Sequence, residues 1–258
     1  MSEFVVVTDL HGRLEHLRQI QITYPGIQLI SGGDVVDGPE YSNVAETIEL
    51  LLEMGAICLS GNHDWVTSAS LKAPDNEVKD TWISDIWSRN HFNTLGSYGI
   101  KNFDLYHRVT DDEMHKRLEQ LKKALQKTGH QEYFDNLIPY FDSGNFIVVH
   151  AGFEFGRSLA EQKTELDSYF TLGAGITCFD LAPIQIFDDE YALSGSEVGL
   201  VGDSKVLITG HNHRTDNDRR LTNNGKRVRL ASRYNDPNSP IYAWESWSGK
   251  VVPILPRS

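Results

Sequence analysis

The sequence predicts an α/β fold in which a mostly parallel sheet is covered by helices. Short apolar runs alternate with helical patterns near the N-terminus, and turn signals separate strand-like runs after Gly210. Such alternation favours parallel strands with functional loops at their carboxyl ends. The chain has 258 residues, 40% of them hydrophobic, which suffices for one full core. We therefore predict a single domain, residues 1–258, that carries an inserted segment.

The first elements are three strands separated by two helices. Aliphatic and β-branched runs predict the strands, and apolar residues three or four positions apart predict a helix face. The strands are predicted at Val5–Val7, Ile27–Ile30 and Ala56–Leu59. The first helix face is formed by Leu14, Leu17 and Ile20, and the second by Ile48, Leu51 and Leu52. Gly55 follows the second helix as its predicted end.

Residues 65–145 differ in sequence pattern from the residues before and after them, and we interpret them as containing an inserted, cap-like helical segment. A charged helical stretch covers residues 111–127. The aromatic residues before it are Trp82, Trp87 and Phe92. Aromatic side chains are more often core than ligand platforms, so we interpret these three as core, with substrate stacking as the alternative.

The remaining predicted strands lie in the second half of the chain. Two apolar runs, Phe146–Val149 and Val206–Ile208, repeat the N-terminal pattern. Asn224-Gly225 and Ser248-Gly249 are turn signals beyond Gly210. They separate strand-like runs at Val228–Leu230, Ile241–Trp247 and Val251–Ile254. From this pattern we predict a second, largely antiparallel sheet.

The charge of the chain disfavours nucleic acid as a partner. Its net charge is -12, whereas binding to a phosphate backbone depends on Lys and Arg. A local basic cluster consists of Arg214, Arg219, Arg220, Lys226, Arg227 and Arg229. We interpret it as the solvated face of a hairpin. A nuclease that uses this cluster is the least favoured alternative.

Three features predict a cytoplasmic location. The apolar runs are far shorter than the roughly 20 residues of a membrane helix. The N-terminus enters a strand-like run without the pattern of a secretory signal. The two cysteines, Cys58 and Cys178, lie among apolar neighbours, which favours buried thiols over a disulfide.

Each of the five apolar runs ends directly in a polar cluster. The clusters are Asp9-Leu10-His11, Gly33-Asp34-Val35-Val36-Asp37, Gly61-Asn62-His63-Asp64, His150-Ala151-Gly152 and Gly210-His211-Asn212-His213. In an extended backbone, the Asp and His of the first cluster would point to the same side. Each cluster alone also fits an ordinary loop cap or turn. Together they predict a site for Mn, Fe, Zn or Co, because those metals accept carboxylate, imidazole and amide ligands.

In order and composition these clusters resemble the motif series DxH, GDxxD, GNH(D/E), HxG and GHxH of the calcineurin-like metallophosphoesterase superfamily. The resemblance spans Asp9 to His213 and is nearest the branch of phosphoprotein phosphatases and symmetrical dinucleoside-polyphosphate hydrolases. It implies two mixed β-sheets packed as a sandwich flanked by helices. It also implies a pair of metal ions at the edge where the strand-end loops meet.

The resemblance further implies a role for each site residue. One metal would be bound by Asp9, His11 and His213, and the second by Asn62, His150 and His211. Asp34 would bridge both. The cofactors would be two divalent transition-metal ions, manganese first, with iron, zinc, cobalt or nickel as alternatives. A water or hydroxide shared by the metals would be the nucleophile. His63 resembles the family's catalytic histidine, and Asp37 resembles its orienting partner.

One departure from that branch concerns the substrate. The branch usually has Arg-Gly after the second Asp of GDxxD, whereas this chain has Gly38 and Pro39. Arginine binds phosphate through two parallel hydrogen bonds, which glycine cannot form. Arg157 or Arg214 is a candidate substitute for the missing arginine. We therefore expect a small phosphorylated substrate, with nucleotides among the candidates, and disfavour a phosphoprotein, a membrane or a nucleic acid. A catalytically silent metal-binding scaffold is the alternative of another class, and the presence of His63 favours an enzyme.

Overall fold

The computed structural model describes residues 2–39, 42–72, 92–102, 109–153, 157–171, 205–211, 221–222, 225–232 and 236–256. Within these ranges the strands are β1 Phe4–Val7, β2 Gln28–Ser31, β3 Ile57–Cys58, β4 Tyr140–Asp142, β5 Phe146–Val149, β6 Val206–Thr209, β7 Leu221–Thr222, β8 Arg227–Arg229, β9 Ile241–Glu245 and β10 Val251–Ile254. The helices are α1 Leu14–Thr23, α2 Val44–Glu53, α3 Asn62–Lys72, α4 Phe92–Ser97, α5 Asp111–Thr128, α6 Gln131–Asp135 and α7 Leu159–Thr171. The five strands predicted up to β6 coincide with β1, β2, β3, β5 and β6 within about two residues at each end. The two predicted helix faces lie in α1 and α2, and the predicted helical stretch at residues 111–127 is α5.

The strands form two mixed sheets. The first sheet has the order β10-β9-β1-β2-β3, and the second has the order β4-β5-β6-β8-β7. In the first sheet β1, β2 and β3 run parallel, while β9 is antiparallel to β1. In the second sheet β5, β6 and β8 run parallel, while β4 and β7 are antiparallel to their neighbours. The predicted fold class, an α/β fold with two mixed sheets and helices, is confirmed.

The two sheets pack face to face through alternate residues of their strands. Val6 and Ile30 from the first sheet join Val148, Ile208 and Val228 from the second in one buried cluster. Neighbouring residues in a strand point to opposite faces, so the other set of side chains is directed outward. On the outer face of the first sheet these side chains share a cluster with the apolar faces of α1 and α2. The result is a sandwich with helices outside.

The prediction of a separate antiparallel sheet beyond Gly210 is wrong. The Ser248-Gly249 turn does join β9 and β10 as a hairpin. That hairpin extends the first sheet, whereas β8 pairs in parallel with β6 of the second sheet. A turn signal specifies the pairing of the two strands that it joins. It carries no information about which sheet edge the hairpin completes.

The interpretation of the basic cluster as a solvated face is wrong for two of its members. Arg227 is fully buried and Arg229 is 7% exposed. Both side chains lie on the face of β8 opposite to Val228, whose side chain packs between the two sheets. The outer face of the second sheet is therefore covered at this strand. Arg214, Arg219 and Arg220 lie outside the described residues.

The described parts of residues 65–145 are mainly helical, apart from β4, and their helices contribute to the main core. In α5 one face is buried and consists of Met114, Leu118, Leu121 and Leu125. This helix begins with a capping box between Thr110 and Glu113. Trp82, Trp87 and the side chain of Phe92 lie outside the described residues. The assignment of this segment as an insertion stays a prediction.

Within the described ranges, the helices lack the combination of length and apolar composition that a membrane crossing requires. Cys58 carries a free thiol, and Cys178 lies outside those ranges.

Asp142 in β4 forms an ion-pair cluster with two lysines. Its Oδ1 lies 2.8 Å from the Nζ of Lys205, and its Oδ2 lies 3.1 Å from the Nζ of Lys163 on α7. Burial raises the pKa of Asp142, but hydrogen bonds from Lys205, the Gly144 N–H and Lys163 outweigh it and lower the pKa to about 2. A carboxylate with a lowered pKa stabilises the fold above its unfolded pKa and loses that effect as the pH falls through the folded value.

We expect Asp142→Asn to lower the free energy of unfolding at neutral pH by at most about 1 kcal/mol, because partly exposed ion pairs contribute little. The difference from the wild type should shrink as the pH falls from 3.8 to about 2. Urea unfolding at several pH values measures this difference. Asp135→Asn, at a half-exposed position on α6, is the matched control. A difference that stays constant across the range would contradict the assignment.

Candidate metal centre

The predicted polar clusters meet at one edge of the sandwich. Loops after β1, β2, β5 and β6 carry four of them, and the third is at the start of α3, which follows β3. Each of these five strands has a parallel neighbour in its sheet. Because parallel strands end at the same edge, their loops converge. The structure brings together Asp9, His11, Asp34, Asp37, Asn62, His63, His150 and His211. His213 lies outside the described residues.

One group of ligand atoms surrounds the His150 ring. Its Nε2 lies 3.3 Å from Asp34 Oδ2, 3.2 Å from Asn62 Oδ1 and 3.2 Å from His211 Nδ1. The Nδ1 of His211 is also 2.9 Å from Asn62 Oδ1. His150 and Asp34 are buried, so water does not separate these atoms freely. The group can hold a metal ion between Asp34, His150 and His211.

A second group shares Asp34 with the first. It consists of Asp9, His11 and Asp34, whose ligand atoms lie within 4.8 Å of one another. His11 Nε2 is 3.8 Å from Asp34 Oδ2. The Asp9 carboxylate accepts the His211 N–H at 3.0 Å, which links it to the loop after β6. Asp34 therefore stands between two sets of donors.

The hydrogen bonds of two histidines direct their Nε2 atoms toward the site. His150 Nδ1 lies 2.9 Å from the Gly32 carbonyl oxygen, and His11 Nδ1 lies 3.0 Å from that of Val36. A carbonyl oxygen only accepts, so each Nδ1 carries a hydrogen, and Nε2 is the ring nitrogen at which a metal ion would replace a proton. At His150, Nε2 faces carboxylate and amide oxygens, which only accept. A cation among them would satisfy all these atoms, so the donor set fits a metal ion.

The pKa shifts at the site reflect this concentration of negative charge. Burial lowers the pKa of His11 to about 4, which keeps the ring neutral. Burial also opposes a charge on His150, but the Asp34 and Asp9 carboxylates outweigh it and raise its pKa to about 9. Asp34 responds in the opposite direction, since His150 and His63 overcome burial and hold its pKa well below the usual range. In the metal-free chain, protons on the histidines thus supply the positive charge that metal ions would otherwise supply.

Strained backbone is concentrated at this edge. In the part of the chain that the structure describes, the non-glycine residues with positive φ are Asp9, His11, Asp34, Asp37 and His211. This left-handed conformation is costly for such residues and is common at functional sites. The extended backbone, which was the condition for Asp9 and His11 to point to the same side by alternation, therefore does not continue past β1. A left-handed turn, with Gly12 also at positive φ, directs their side chains instead.

Two motif glycines allow the loops to touch. A side-chain carbon on Gly33 would meet the Gly61 nitrogen at 2.5 Å, and one on Gly61 would collide with Asp34 Oδ1. These positions need glycine because backbone lies against backbone and against a site carboxylate.

Gly38 explains the departure from the Arg-Gly pattern. A side chain at this position would collide with the His11 carbonyl oxygen and with the Ser42 side chain. An arginine therefore does not fit there without a shift of the loop. Among the substitutes, Arg157 pairs with Glu165 on α7 at 2.7 Å, and Arg214 lies outside the described residues.

His63 and Asp37 form a hydrogen-bonded pair beside the two donor groups. His63 Nδ1 lies 2.9 Å from Asp37 Oδ2, and the His63 side chain is 21% exposed while that of Asp37 is 1% exposed. Burial opposes a charge on His63, but the Asp34 and Asp37 carboxylates outweigh it and raise the pKa of His63 to about 9. Because Nδ1 is engaged by Asp37, Nε2 is the ring nitrogen available to a substrate.

Sequence analysis missed the structural role of Asp64, the residue after His63. Its carboxylate is fully buried and accepts backbone N–H groups from Asp34 at 2.6 Å and Gly61 at 3.0 Å. It also accepts the Val35 N–H at 3.1 Å and the Tyr133 hydroxyl at 3.0 Å. Asp64 therefore ties the Asp34 loop to α3 and α6. The only available sequence signal was an acidic residue at the end of the Gly-Asn-His-Asp cluster.

The family is identified by a comparison with protein-family models. The model of the calcineurin-like phosphoesterase family matches residues 2–215. The chain belongs to this family. The phosphoesterase is accordingly a hydrolase that acts on phosphate esters, and the family implies that it uses divalent metal ions. No curated protein sequence matches the chain.

Solved structures resemble the phosphoesterase in fold. A protein proposed to be a diadenosine tetraphosphatase has a TM-score of 0.54 at 14% identity, over 100% of this chain and 95% of its own. A metallophosphoesterase from Sphaerobacter thermophilus has a TM-score of 0.48 at 15% identity, over 99% and 89%. A serine/threonine phosphatase from Saccharomyces cerevisiae, with similarity to human PP5, has a TM-score of 0.48 at 13% identity, over 100% and 80%.

Proposed function

We propose that this phosphoesterase binds two divalent transition-metal ions, manganese first among them, and hydrolyses a small phosphorylated substrate. The observation that carries the proposal is the position of Asp34 between the donor groups of His150 and His11. A carboxylate shared by two donor sets is what a pair of metal ions requires. Asp9, His11 and His213 would hold one ion, and Asn62, His150 and His211 would hold the other.

The bound metal ions would supply Lewis acidity and lower the pKa of coordinated water. The protein's own residues would orient the substrate and handle the proton of the leaving group. His63 would deliver a proton from Nε2 to the leaving oxygen or stabilise charge on the phosphoryl group. Asp37 would hold the ring through Nδ1, at 2.9 Å, and so keep Nε2 directed away from it.

A nucleotide or a dinucleoside polyphosphate is the more specific candidate substrate. A phosphoprotein is disfavoured, because the arginine that would bind its phosphate through two hydrogen bonds is missing from the loop at Gly38. One protein of similar fold is itself proposed to be a diadenosine tetraphosphatase. The alternative that is not an enzyme is a metal-binding scaffold without catalytic activity.

Removal and restoration of metal tests the proposal. We expect the stripped protein to be inactive and Mn, Fe, Zn, Co or Ni, added one at a time, to restore turnover. A phosphomonoester, a phosphodiester and a dinucleoside polyphosphate should be assayed side by side, with bound metal measured by elemental analysis. Saturation at two ions per chain supports the dinuclear site, and saturation at one contradicts it. If all three substrates stay inert with both ions bound, the scaffold becomes the favoured function.

A further inference from the structure

A buried threonine outside the predicted site contacts the Asp37–His63 pair. Thr94 lies in α4 and is fully buried. Its Oγ1 donates a hydrogen bond to Asp37 Oδ1 at 2.7 Å and accepts one from the Asp37 N–H at 3.1 Å. The other carboxylate oxygen, Oδ2, accepts from His63 Nδ1 at 2.9 Å. The three side chains thus form one continuous chain of hydrogen bonds.

We propose that Thr94 is a positioning residue for His63 and acts through Asp37. This inference rests on the proposed function, because it assumes that His63 takes part in hydrolysis. The torsion that rotates a carboxylate is broad and roughly two-fold, so it restrains the group weakly. A donor fixed on Oδ1 selects the orientation in which Oδ2 faces the imidazole.

The backbone of Asp37 gives a second reason for this role. Asp37 has a φ of 62°, a left-handed conformation that its surroundings must maintain. One hydroxyl group binds both the N–H and the carboxylate of this residue, and therefore restrains its main chain and side chain together. The Asp37 carbonyl oxygen also lies 3.1 Å from His11 Nδ1. Displacement of Asp37 would therefore affect both His63 and a proposed metal ligand.

Other contacts hold α4 in place independently of the Thr94 hydroxyl. Asn93 Nδ2 donates to Ser42 Oγ at 3.0 Å, beside the Asp37 loop. The Tyr98 hydroxyl lies 2.8 Å from His130 Nδ1, and the other nitrogen of His130 contacts Glu49 on α2. Loss of one hydroxyl at Thr94 should therefore leave the helix docked. This makes the position suitable for a test that separates positioning from folding.

The first test compares three single variants of the full chain with restored metal. Thr94→Val removes the hydroxyl at nearly constant shape, and we expect kcat to fall roughly tenfold to a hundredfold with KM and metal content near wild type. Thr94→Ser retains the hydroxyl and should recover most of the activity. Ser97→Ala removes a different α4 hydroxyl, which bonds the Thr94 carbonyl oxygen at 2.9 Å, and should match the wild type. Equal activity of Thr94→Val and the wild type would overturn the inference.

A double-mutant cycle with Asp37→Asn then identifies the route of the effect. If Thr94 acts through Asp37, Thr94→Val should lower kcat little further in the Asp37→Asn background. A full additional loss in that background would show an independent effect and contradict the inference. If Asp37→Asn and His63→Ala both keep wild-type kcat, the proposed function of the pair fails. If those two variants lose activity while Thr94→Val does not, only the role of Thr94 fails.

Discussion

His63→Ala is expected to lower kcat by roughly a hundredfold to ten-thousandfold while metal content stays near that of the wild type. The imidazole is outside both donor groups that surround Asp34, so its removal should leave the metal ligands in place. It is hydrogen-bonded to Asp37 and partly exposed, as a group that meets a substrate must be. Steady-state kinetics together with elemental analysis of the same preparation measures both quantities.

The leaving group distinguishes the two roles available to His63. If His63 protonates the leaving oxygen, the loss should be large for an alkyl phosphate and small for an aryl phosphate whose phenol is acidic. An equal loss for both substrates would indicate stabilisation of charge on the phosphoryl group. His115→Ala, at a position on α5 that belongs to neither donor group nor to the His63–Asp37 pair, controls for the removal of an imidazole. Wild-type activity of His63→Ala would remove the catalytic assignment.

Asp64→Ala is expected to cause the largest loss of stability, about 3 kcal/mol or more. The substitution leaves the N–H groups of Asp34, Gly61 and Val35 without a carboxylate in a fully buried position. Each unsatisfied buried donor costs about 1 to 3 kcal/mol. The Asp34 loop should also lose order, so metal affinity should fall together with the free energy of unfolding. Chemical denaturation and metal titration measure the two effects.

Two further variants calibrate this result. Tyr133→Phe removes a single donor to Asp64 and should cost only about 1 kcal/mol. Asp135→Ala removes a carboxylate from a half-exposed position of α6 and should lie within about 0.5 kcal/mol of the wild type. If Asp64→Ala were as stable as Asp135→Ala, the buried network would not hold the Asp34 loop.

The order of the first strands and helices along the chain, and the residue types that form the site, were predictable from the sequence. Strands such as Phe146–Val149 coincide with apolar runs because a buried strand needs continuous apolar side chains. Each site cluster follows its strand directly, so convergence at one sheet edge could be expected without coordinates. For the same reason, eight of the nine predicted site residues, all except His213, lie together around Asp34 and Asp37.

Contacts between residues distant in sequence could not be predicted. Ser248-Gly249 indicated a hairpin, but the pairing of β9 with β1 depends on which sheet edge is available after the chain has folded. The burial of Arg227 could not be predicted either, because the sequence of a strand does not show which distant parts of the chain cover the outer face of its sheet. Propensity and spacing describe neighbours along the chain, and these contacts join residues far apart in it.

The sequence by itself therefore determined the family, the order of the strands along the chain and the residues that offer ligand atoms. The tertiary structure decided how those residues are held: the left-handed turns at Asp9 and Asp34, the exclusion of an arginine at Gly38, and the contact of Thr94 with Asp37. The physical reason is that the type of a residue determines which ligand atoms its side chain offers. The position of that side chain depends on hydrogen bonds and close packing between elements that are distant in sequence. Thr94 belongs to none of the five sequence clusters, and its contact with Asp37 is what reveals it.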